Sequence, residues 1–375
     1  MMVRRKVTAR LNELAPFIDW DSDPYLVITK EGHLVWIVDG YTISDLHPYS
    51  RAIETGEGRR YNYIRNSVKA TVDAYHGDVR LYAFDTEDPL LAAWRKMLPD
   101  LFHDASEMPA DLRAHARAPE DLFHAQAEIY RLYHMRDPES YYNRADLWDF
   151  ATFSAAQGGR PAPVPPSYMV ATLPGEKEPE FLLTIPFTPR NKQNLIGLMA
   201  ARCDREHLGE IVFFSLPKGE IIPGPQQIEA LINQDQVISK DLSLWNQQGS
   251  QVLRPQMLTL PIDQTFLFVA PIYIQASEAR MPQLKKIVLA AGNNLVYADS
   301  YEQALRDLAT MQRGKAIIAP VASASATATT SVSPTSERRI EEIRGHLDRY
   351  RTLSSQGKWA EAGKEMEAVE ALVKR

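Results

Sequence analysis

Between Tyr61 and His76 the apolar positions Ile64, Val68, Val72 and Tyr75 recur every three to four residues, with Arg65, Asn66, Lys69 and Asp73 falling between them. That spacing predicts one amphipathic helix. Gly77, free to adopt a left-handed conformation, predicts its stop at His76. Val79, Leu81 and Ala83 then alternate with Arg80, Tyr82 and Phe84, the period of a strand. On this reading Val68→Asp buries a charge and unfolds the domain, whereas Lys69→Ala on the solvated face is mild. Upstream, the apolar runs 25–29 and 34–38 are split by Lys30-Glu31-Gly32-His33, a hairpin signal. Residues 39–58 show no period and predict a long surface loop.

Downstream, 89–98, 109–116 and 119–134 each open on Pro and read as helices, with short helical pieces over 137–149. Gly158 to Pro166, GGRPAPVPP, marks a boundary or an exposed insertion. Strands are predicted at 168–173, 181–186, 211–216, 251–260, 265–274 and 286–290, and helices at 194–203, 225–234 and 301–311. The long pair 251–260 and 265–274, joined at 261–264, suits an antiparallel hairpin better than a parallel crossover. The implied fold class is α+β or mixed α/β, with mostly antiparallel or mixed sheets and packed helices. Four regions follow: an α/β region with a helical insertion (1–157), a mixed-sheet region (158–313), a disordered linker (314–336) and a C-terminal helical hairpin (337–375). The linker assignment rests on an Ala, Ser, Thr and Pro composition almost without charge. The hairpin rests on one stripe of Ile340, Ile343, Leu347, Tyr350 and Leu353 and another of Trp359, Ala362, Met366, Val369 and Val373.

Composition narrows the function classes. A 375-residue chain with 45% hydrophobic and 24% charged residues can bury large cores, and its formal charge of −6 supplies no field for nucleic acid, which is set aside as a partner. One cysteine, Cys203, rules out an internal disulfide framework and any multi-cysteine zinc site. No run of about 18 apolar residues occurs, so the chain is expected to carry no transmembrane helix.

Read in order, DSDPYLVI (21–28), LVWIVDGYT (34–42), PYS (48–50), YNYIRNSVKATVDAYHG (61–77), LRAHARAPEDLFHAQ (112–126), PFTPRNKQNL (186–195), GPQQIEALINQDQVISKDLSLWNQQGSQV (224–252) and PIYIQA (271–276) resemble the uncharacterised protein family 0182. Its members are large bacterial integral-membrane proteins, and the likeness runs from about Leu14 to Leu308. The resemblance implies a parent with several N-terminal transmembrane helices and a soluble C-terminal region facing outside the cytoplasm, with this chain as the later portion of that region. It carries no catalytic or ligand-binding residues over. Arg254-Pro255 stands where such sequences commonly have Gly-Asn, and Ala270 where they commonly have Glu.

The residues themselves offer several candidate sites. Arg65, Asn66 and Lys69 suit an anionic ligand, or simply a solvated face. Thr188, Arg190 and Asn191 after a strand, with the amide-rich Gln226, Gln227, Asn233 and Gln234, suit a polar groove for sugars or peptides, or plain solvated turns. Asp19, Asp21 and Asp23 resemble the first oxygen ligands of a calcium loop, but Pro24 and Lys30 stand where its turn Gly and closing Glu belong. His76, His103, His115, His124 and His134 lack any HExxH-type spacing, and neither a nucleophile elbow nor a phosphate loop is present. The leading expectation is therefore a non-enzymatic extracytoplasmic module, partnered by its parent's transmembrane region and by an envelope component or copies of itself. The alternative is an envelope hydrolase or transferase using the carboxylates and histidines of 73–134. Self-association is expected to run through the C-terminal hairpin.

Overall fold

Three sheets, each built on one long strand with apolar side chains on both faces, carry the architecture. The computed structural model describes residues 5–54, 60–154, 160–217, 221–246, 249–262, 265–276, 281–292 and 294–316, with 346, 349, 350, 364 and 365. Residues Met1–Ile317 form one unit and Ile318–Arg375 a second. The linker expected at 314–336 lies outside the described residues except at 314–316. So does nearly all of the hairpin expected at 337–375, of which His346 and Glu365 are described, 2.6 Å apart.

In the first sheet β1 (Asp19–Trp20) and β2 (Tyr25–Ile28) both pair with β3 (Leu34–Ser44), which pairs in turn with β4 (Tyr63–Asp73). Beyond them come β5 (Val79–Ala83) and β6 (Phe102–Asp104). All contacts are antiparallel except β5 with β6, which α2 (Pro89–Met97) joins as a crossover. One face packs Val38, Val68, Ala70 and Leu81 against α1 (Val7–Leu14) and α2, and the other packs Val27, Ile37 and Tyr82 against Met108 and Leu112.

β4 replaces the helix expected over 61–76. Ser67, Val68, Lys69, Ala70, Thr71 and Val72 are all buried, so both faces of this strand are covered. In a strand buried on both sides apolar residues need not alternate, and their chance spacing of three and four imitates a helix. Gly77 does take φ +77°, but in the hairpin turn between β4 and β5, where its N–H reaches Asp73 O at 2.9 Å. The loop expected at 39–58 is likewise partly replaced: β3 continues to Ser44 with Asp39, Tyr41 and Thr42 buried, and Ile53–Glu54 pairs with Arg60–Tyr61. The hairpin of β2 with β3 forms as the sequence suggests.

The helices that follow match the Pro-led pattern: α3 (Ala110–Arg113), α4 (Glu120–Tyr133) and α5 (Pro138–Asn143). The second sheet runs β8 (Ser167–Ala171), β9 (Glu180–Pro189), β10 (Gly197–Arg202) and β11 (Ile211–Ser215), with β7 (Trp148–Phe150) also on β9. The helix expected at 194–203 is absent. Asn194–Leu195 pairs with Ile222–Pro223, and β10 follows with all six of its residues buried. Gly197 permits this, because a Cβ there would run into the Phe213 ring and the Phe214 carbonyl.

The third sheet, β12 (Ser250–Leu253) and β13 (Leu258–Ile262) on β14 (Thr265–Ala276), then β15 (Pro282–Ala291) and β16 (Asn294–Ala298), is antiparallel throughout. The predicted run 251–260 is thus two strands. Helices α6 (Pro225–Gln234) and α7 (Gln236–Trp245) close a core of Ile228, Ile232, Ile238, Phe268 and Val288, while α8 (Tyr301–Ala316) covers the opposite face through Ala304 and Leu308.

The short link between α3 and α4 pins the first two sheets together. Arg117 O accepts from Lys69 Nζ at 3.0 Å, and its guanidinium sits 4.2 Å from the Tyr25 ring and 4.4 Å from the Tyr168 ring. Ala118 donates its N–H to Cys203 Sγ at 3.4 Å and accepts from the Tyr168 hydroxyl at 2.7 Å.

Candidate functional site

The chain leaving β3 turns sharply at His47-Pro48-Tyr49-Ser50, and Asn62 dictates that turn. Its Oδ1 accepts from His47 N at 3.0 Å, its Nδ2 donates to His47 O at 2.7 Å, and its carbonyl accepts from Ser50 Oγ at 2.7 Å. Held in this way, Tyr49 takes φ +61° and projects fully into solvent. A left-handed Tyr has no local compensation, so the surrounding bonds must supply what the conformation costs.

Two further turns lie nearby. Asp137 caps α5 through Ser140 N at 2.7 Å, and the helix ends on Arg144 at φ +53°, where Gly or Asn is the ordinary choice. Beyond β9 the turn closed by Lys192 N to Pro189 O at 3.0 Å places Asn191 at φ +62°, and Arg190 N is tied to Leu147 O at 2.9 Å. Tyr49, Arg144 and Asn191 are the non-glycine residues with positive φ among the described residues; Tyr49 lines one surface depression and Arg144 and Asn191 line a second, with Arg51 on the lining of both.

Taken together as one site, the two depressions form an aromatic lobe and an arginine lobe that share Arg51. The aromatic lobe, of about 480 Å³, is walled by His47, Tyr49, Tyr61, Tyr63, Tyr133 and Gln126, with Arg65 at its edge. The arginine lobe, of about 400 Å³, is lined by Arg51, Arg131, Arg144 and Arg190 with Glu128, Asp149 and Asn191. Four guanidinium groups against a pair of carboxylates leave this lobe with an excess of two positive charges. Arg131 is engaged by Glu128 at 2.6 Å and by Asp149. Burial works against its charge, but those carboxylates prevail and hold its pKa above the ordinary value. The guanidinium groups of Arg51, Arg144 and Arg190 have no hydrogen-bond or ion-pair partner among the described residues. Tyr141 packs behind the aromatic lobe, its ring meeting Tyr133 edge-on at 5.6 Å. A hydrogen bond with Tyr133 raises its hydroxyl pKa, while Arg51 and Arg144 pull the other way. Beneath the aromatic lobe, burial and then the bond to Asp88 push Tyr63 up to about 12.

The sequence-derived candidates divide over the molecule. Arg65 reaches the edge of the aromatic lobe, paired to Asp85 at 3.2 Å, and Arg190 and Asn191 line the arginine lobe. Asn66 and Lys69 do not join them. Lying on a strand rather than an exposed helix face, they are turned inward onto buried Asp39, Asn66 Nδ2 donating at 3.0 Å and Lys69 Nζ forming an ion pair. The three aspartates that resemble a calcium loop are each occupied separately. Asp21 is buried and accepts from the Tyr41 hydroxyl and from Asp23 N at 2.8 Å, Asp23 pairs with Arg117 at 2.6 Å, and Asp19 lies on β1. Burial pushes the Asp21 carboxyl up, against the lowering effect of Tyr41. Among the described residues no group of three or more His, Cys, Asp or Glu side chains is placed to hold a metal ion.

The histidines are equally dispersed. His134 stacks on Trp148 at 3.5 Å, His124 leans on Phe150, His103 faces Glu107 and His115 bonds Asp111 O. Gln226, Gln227 and Asn233 serve as partners of Thr152 Oγ1, Gly224 N and Arg254. Sequence reasoning missed Arg51, Arg144 and the tyrosines. The usable signal was the Asn143-Arg144 pair after a capped Pro-led helix, since a helix end without Gly asks another residue to turn left-handed.

No helix among the described residues is long and apolar enough to cross a membrane. A family model described as an uncharacterised protein family, UPF0182, matches residues 1–245. A UPF0182 protein of Solibacter usitatus is 61% identical over 378 residues, covering 100% of this chain and 41% of the relative. A second, from Desulforamulus reducens, is 44% identical over 81% of this chain and 32% of its own length, and a third, from Methanospirillum hungatei, 45% over 80% and 34%. The chain therefore spans well under half the length of these relatives. No solved structure matches it.

Proposed function

The chain belongs to the uncharacterised protein family UPF0182, and from that membership we propose that it is the extracytoplasmic binding module of a larger membrane protein. Its task in this reading is to hold an envelope component in the depression around Arg51, without turnover, while its parent's transmembrane region anchors it. The observation that carries the reading is that Tyr49, Arg144 and Asn191, each left-handed, all line one or other of the two lobes that share Arg51. Strained backbone of this kind costs roughly 1–3 kcal/mol per residue and gathers at sites where it has a use. Three arginines whose guanidinium groups have no partner among the described residues, beside a tyrosine-lined cleft, supply charge and apolar contact for a ligand. In contrast, His103, His115, His124, His134, Glu107 and Glu128 of 73–134 are engaged with different partners, which supports the binding reading over the enzymatic alternative there.

Hydrogen exchange on the full chain, with and without isolated envelope glycan and lipid fractions, tests the proposal. Protection is expected at 45–53, 141–147 and 189–192. Absence of protection with every fraction, or hydrolysis of any of them, overturns it.

A further inference from the structure

We infer that the ligand of this depression is a sugar bearing a phosphate monoester, an inference that rests on the binding reading above. The charge balance selects the anion. Arg131 is already committed to Glu128 and Asp149, while the guanidinium groups of Arg51, Arg144 and Arg190 are not, so among the described residues the excess of two positive charges in the arginine lobe is left uncompensated. A carboxylate or a phosphodiester brings one negative charge. A phosphate monoester carries about 1.5 to 2 at neutral pH, together with three acceptor oxygens for guanidinium forks.

The aromatic lobe selects what the phosphate is attached to. Beside aliphatic Ile53, Ile64 and Ile129, its walls carry phenol rings, imidazole and amide from Tyr49, Tyr61, Tyr63, Tyr133, His47 and Gln126. These rings are not a parallel-walled slot for a flat base. The lining rings of His47 and Tyr63 are inclined by 41° to each other. A puckered ring with apolar C–H faces and hydroxyl edges fits tilted rings with polar tips better than a nucleobase does. The joint at Arg51 lets one small molecule span both lobes, its phosphate among the arginines and its ring against Tyr49 and Tyr133. Free sugar phosphates and the phosphorylated end of an envelope glycan share this chemistry.

Calorimetric titration of the full chain separates the cases, with glucose 6-phosphate, glucose, inorganic phosphate, AMP and a maltoheptaose phosphorylated at its terminal 6-hydroxyl as probes. Glucose 6-phosphate is expected to bind at least about 10-fold more tightly than inorganic phosphate or glucose, since each lobe contributes separately. Arg144→Gln and Arg190→Gln should each weaken it by about 10-fold or more, because hydrogen bonds to charged groups are the strong ones. Both variants replace exposed side chains and should melt with the parent. Tyr49→Ala should weaken glucose 6-phosphate and leave inorganic phosphate unchanged. Tighter binding of the oligosaccharide than of glucose 6-phosphate assigns the ligand to a glycan end, and the reverse order to a free sugar phosphate; either order supports the inference. It is overturned if no phosphorylated probe binds, if AMP binds more tightly than glucose 6-phosphate, or if the arginine variants bind as the parent does. Protection of the depression by an envelope fraction, with no sugar phosphate bound, would leave the binding module standing and remove only this ligand class.

Discussion

Asp39 and Lys69 lie directly opposite each other on β3 and β4, and their side chains close an ion pair with 4% and 2% of their surface exposed. Lys69 spends its other hydrogens on Asn66 Oδ1 at 3.1 Å and Arg117 O at 3.0 Å. The pair therefore ties the centre of the first sheet to the link that reaches the second.

Removing Lys69 strands a buried carboxylate, so Lys69→Met should cost about 3–5 kcal/mol. This reverses the expectation from the sequence pattern, which places Lys69 on a solvated helix face and makes its loss mild. Adding Asp39→Leu should restore much of the loss, since apolar replacement of a whole buried pair is often close to neutral. Urea unfolding of the single and double variants reads both numbers. A Lys69→Met protein as stable as the parent would show that the pair is not buried in solution.

The same segment shows how far the chain could be read in advance. Hairpins with turn residues, such as β2 with β3, were legible because period and turn chemistry agreed. Pro-led helices α2, α4 and α6 were legible for the same reason. β4 and β10 were not, because both are covered on both faces and such strands carry no alternation. Of the depression, Arg190 and Asn191 were visible as a polar turn after a strand, and Arg65 as an anion-binding candidate, although on a helix face shared with Asn66 and Lys69. Arg51 and Arg144 become neighbours of Arg190 only through the fold, across 139 positions between Arg51 and Arg190, and no local pattern encodes that.

Asp88 makes stability depend on acid pH. Its carboxylate is fully buried and accepts from Thr42 Oγ1 at 2.6 Å, Ser67 Oγ at 2.7 Å, Tyr63 at 2.7 Å and the first turn of α2. Burial alone would raise its pKa, but these donors outweigh it and hold the carboxyl below the ordinary carboxylate range. A group with a depressed folded pKa contributes stability above its unfolded pKa of about 3.9 and loses it as pH falls through the folded value. Asp88→Asn should thus be less stable than the parent at pH 7 by about 1–3 kcal/mol, with the gap closing below pH 4. Asp21, whose folded pKa is raised, has the opposite slope, so the difference between variant and parent curves is the quantity to measure. A gap that is constant from pH 7 to pH 2 contradicts the assignment.

Gly224 marks the close approach of two loops. Its φ of −87° and ψ of 172° suit any residue, so backbone strain is not at issue. A Cβ there would overlap the carbonyl oxygen of Gln193, a backbone atom with no rotamer to move. Gly224→Ala should therefore destabilise by about 1–3 kcal/mol despite adding only one carbon. Thermal melting of this variant beside Gly249→Ala checks it: Gly249 has open space but φ +99°, so its cost is conformational, and only Gly224→Ala should disturb the Asn194–Leu195 pairing seen by amide exchange.

Stability and binding oppose each other at Arg144. This residue ends α5 in the left-handed region, where an ordinary L-residue is disfavoured by roughly 1–2 kcal/mol and Asn, with a short side chain that bonds locally, is much better tolerated. Arg144→Asn should consequently raise the melting temperature, by about 1–3 °C for a unit of this size. Arg144→Gln keeps the strain and removes the charge, so it should melt with the parent. Both variants lose a guanidinium from the arginine lobe, and both should lose affinity for a phosphorylated sugar. Gain of stability in Arg144→Asn alone, with loss of binding in both, would show that the chain keeps a costly conformation for the sake of the charge. If Arg144→Asn melts no higher than Arg144→Gln, the left-handed turn stores nothing, and the convergence of Tyr49, Arg144 and Asn191 ceases to mark a site.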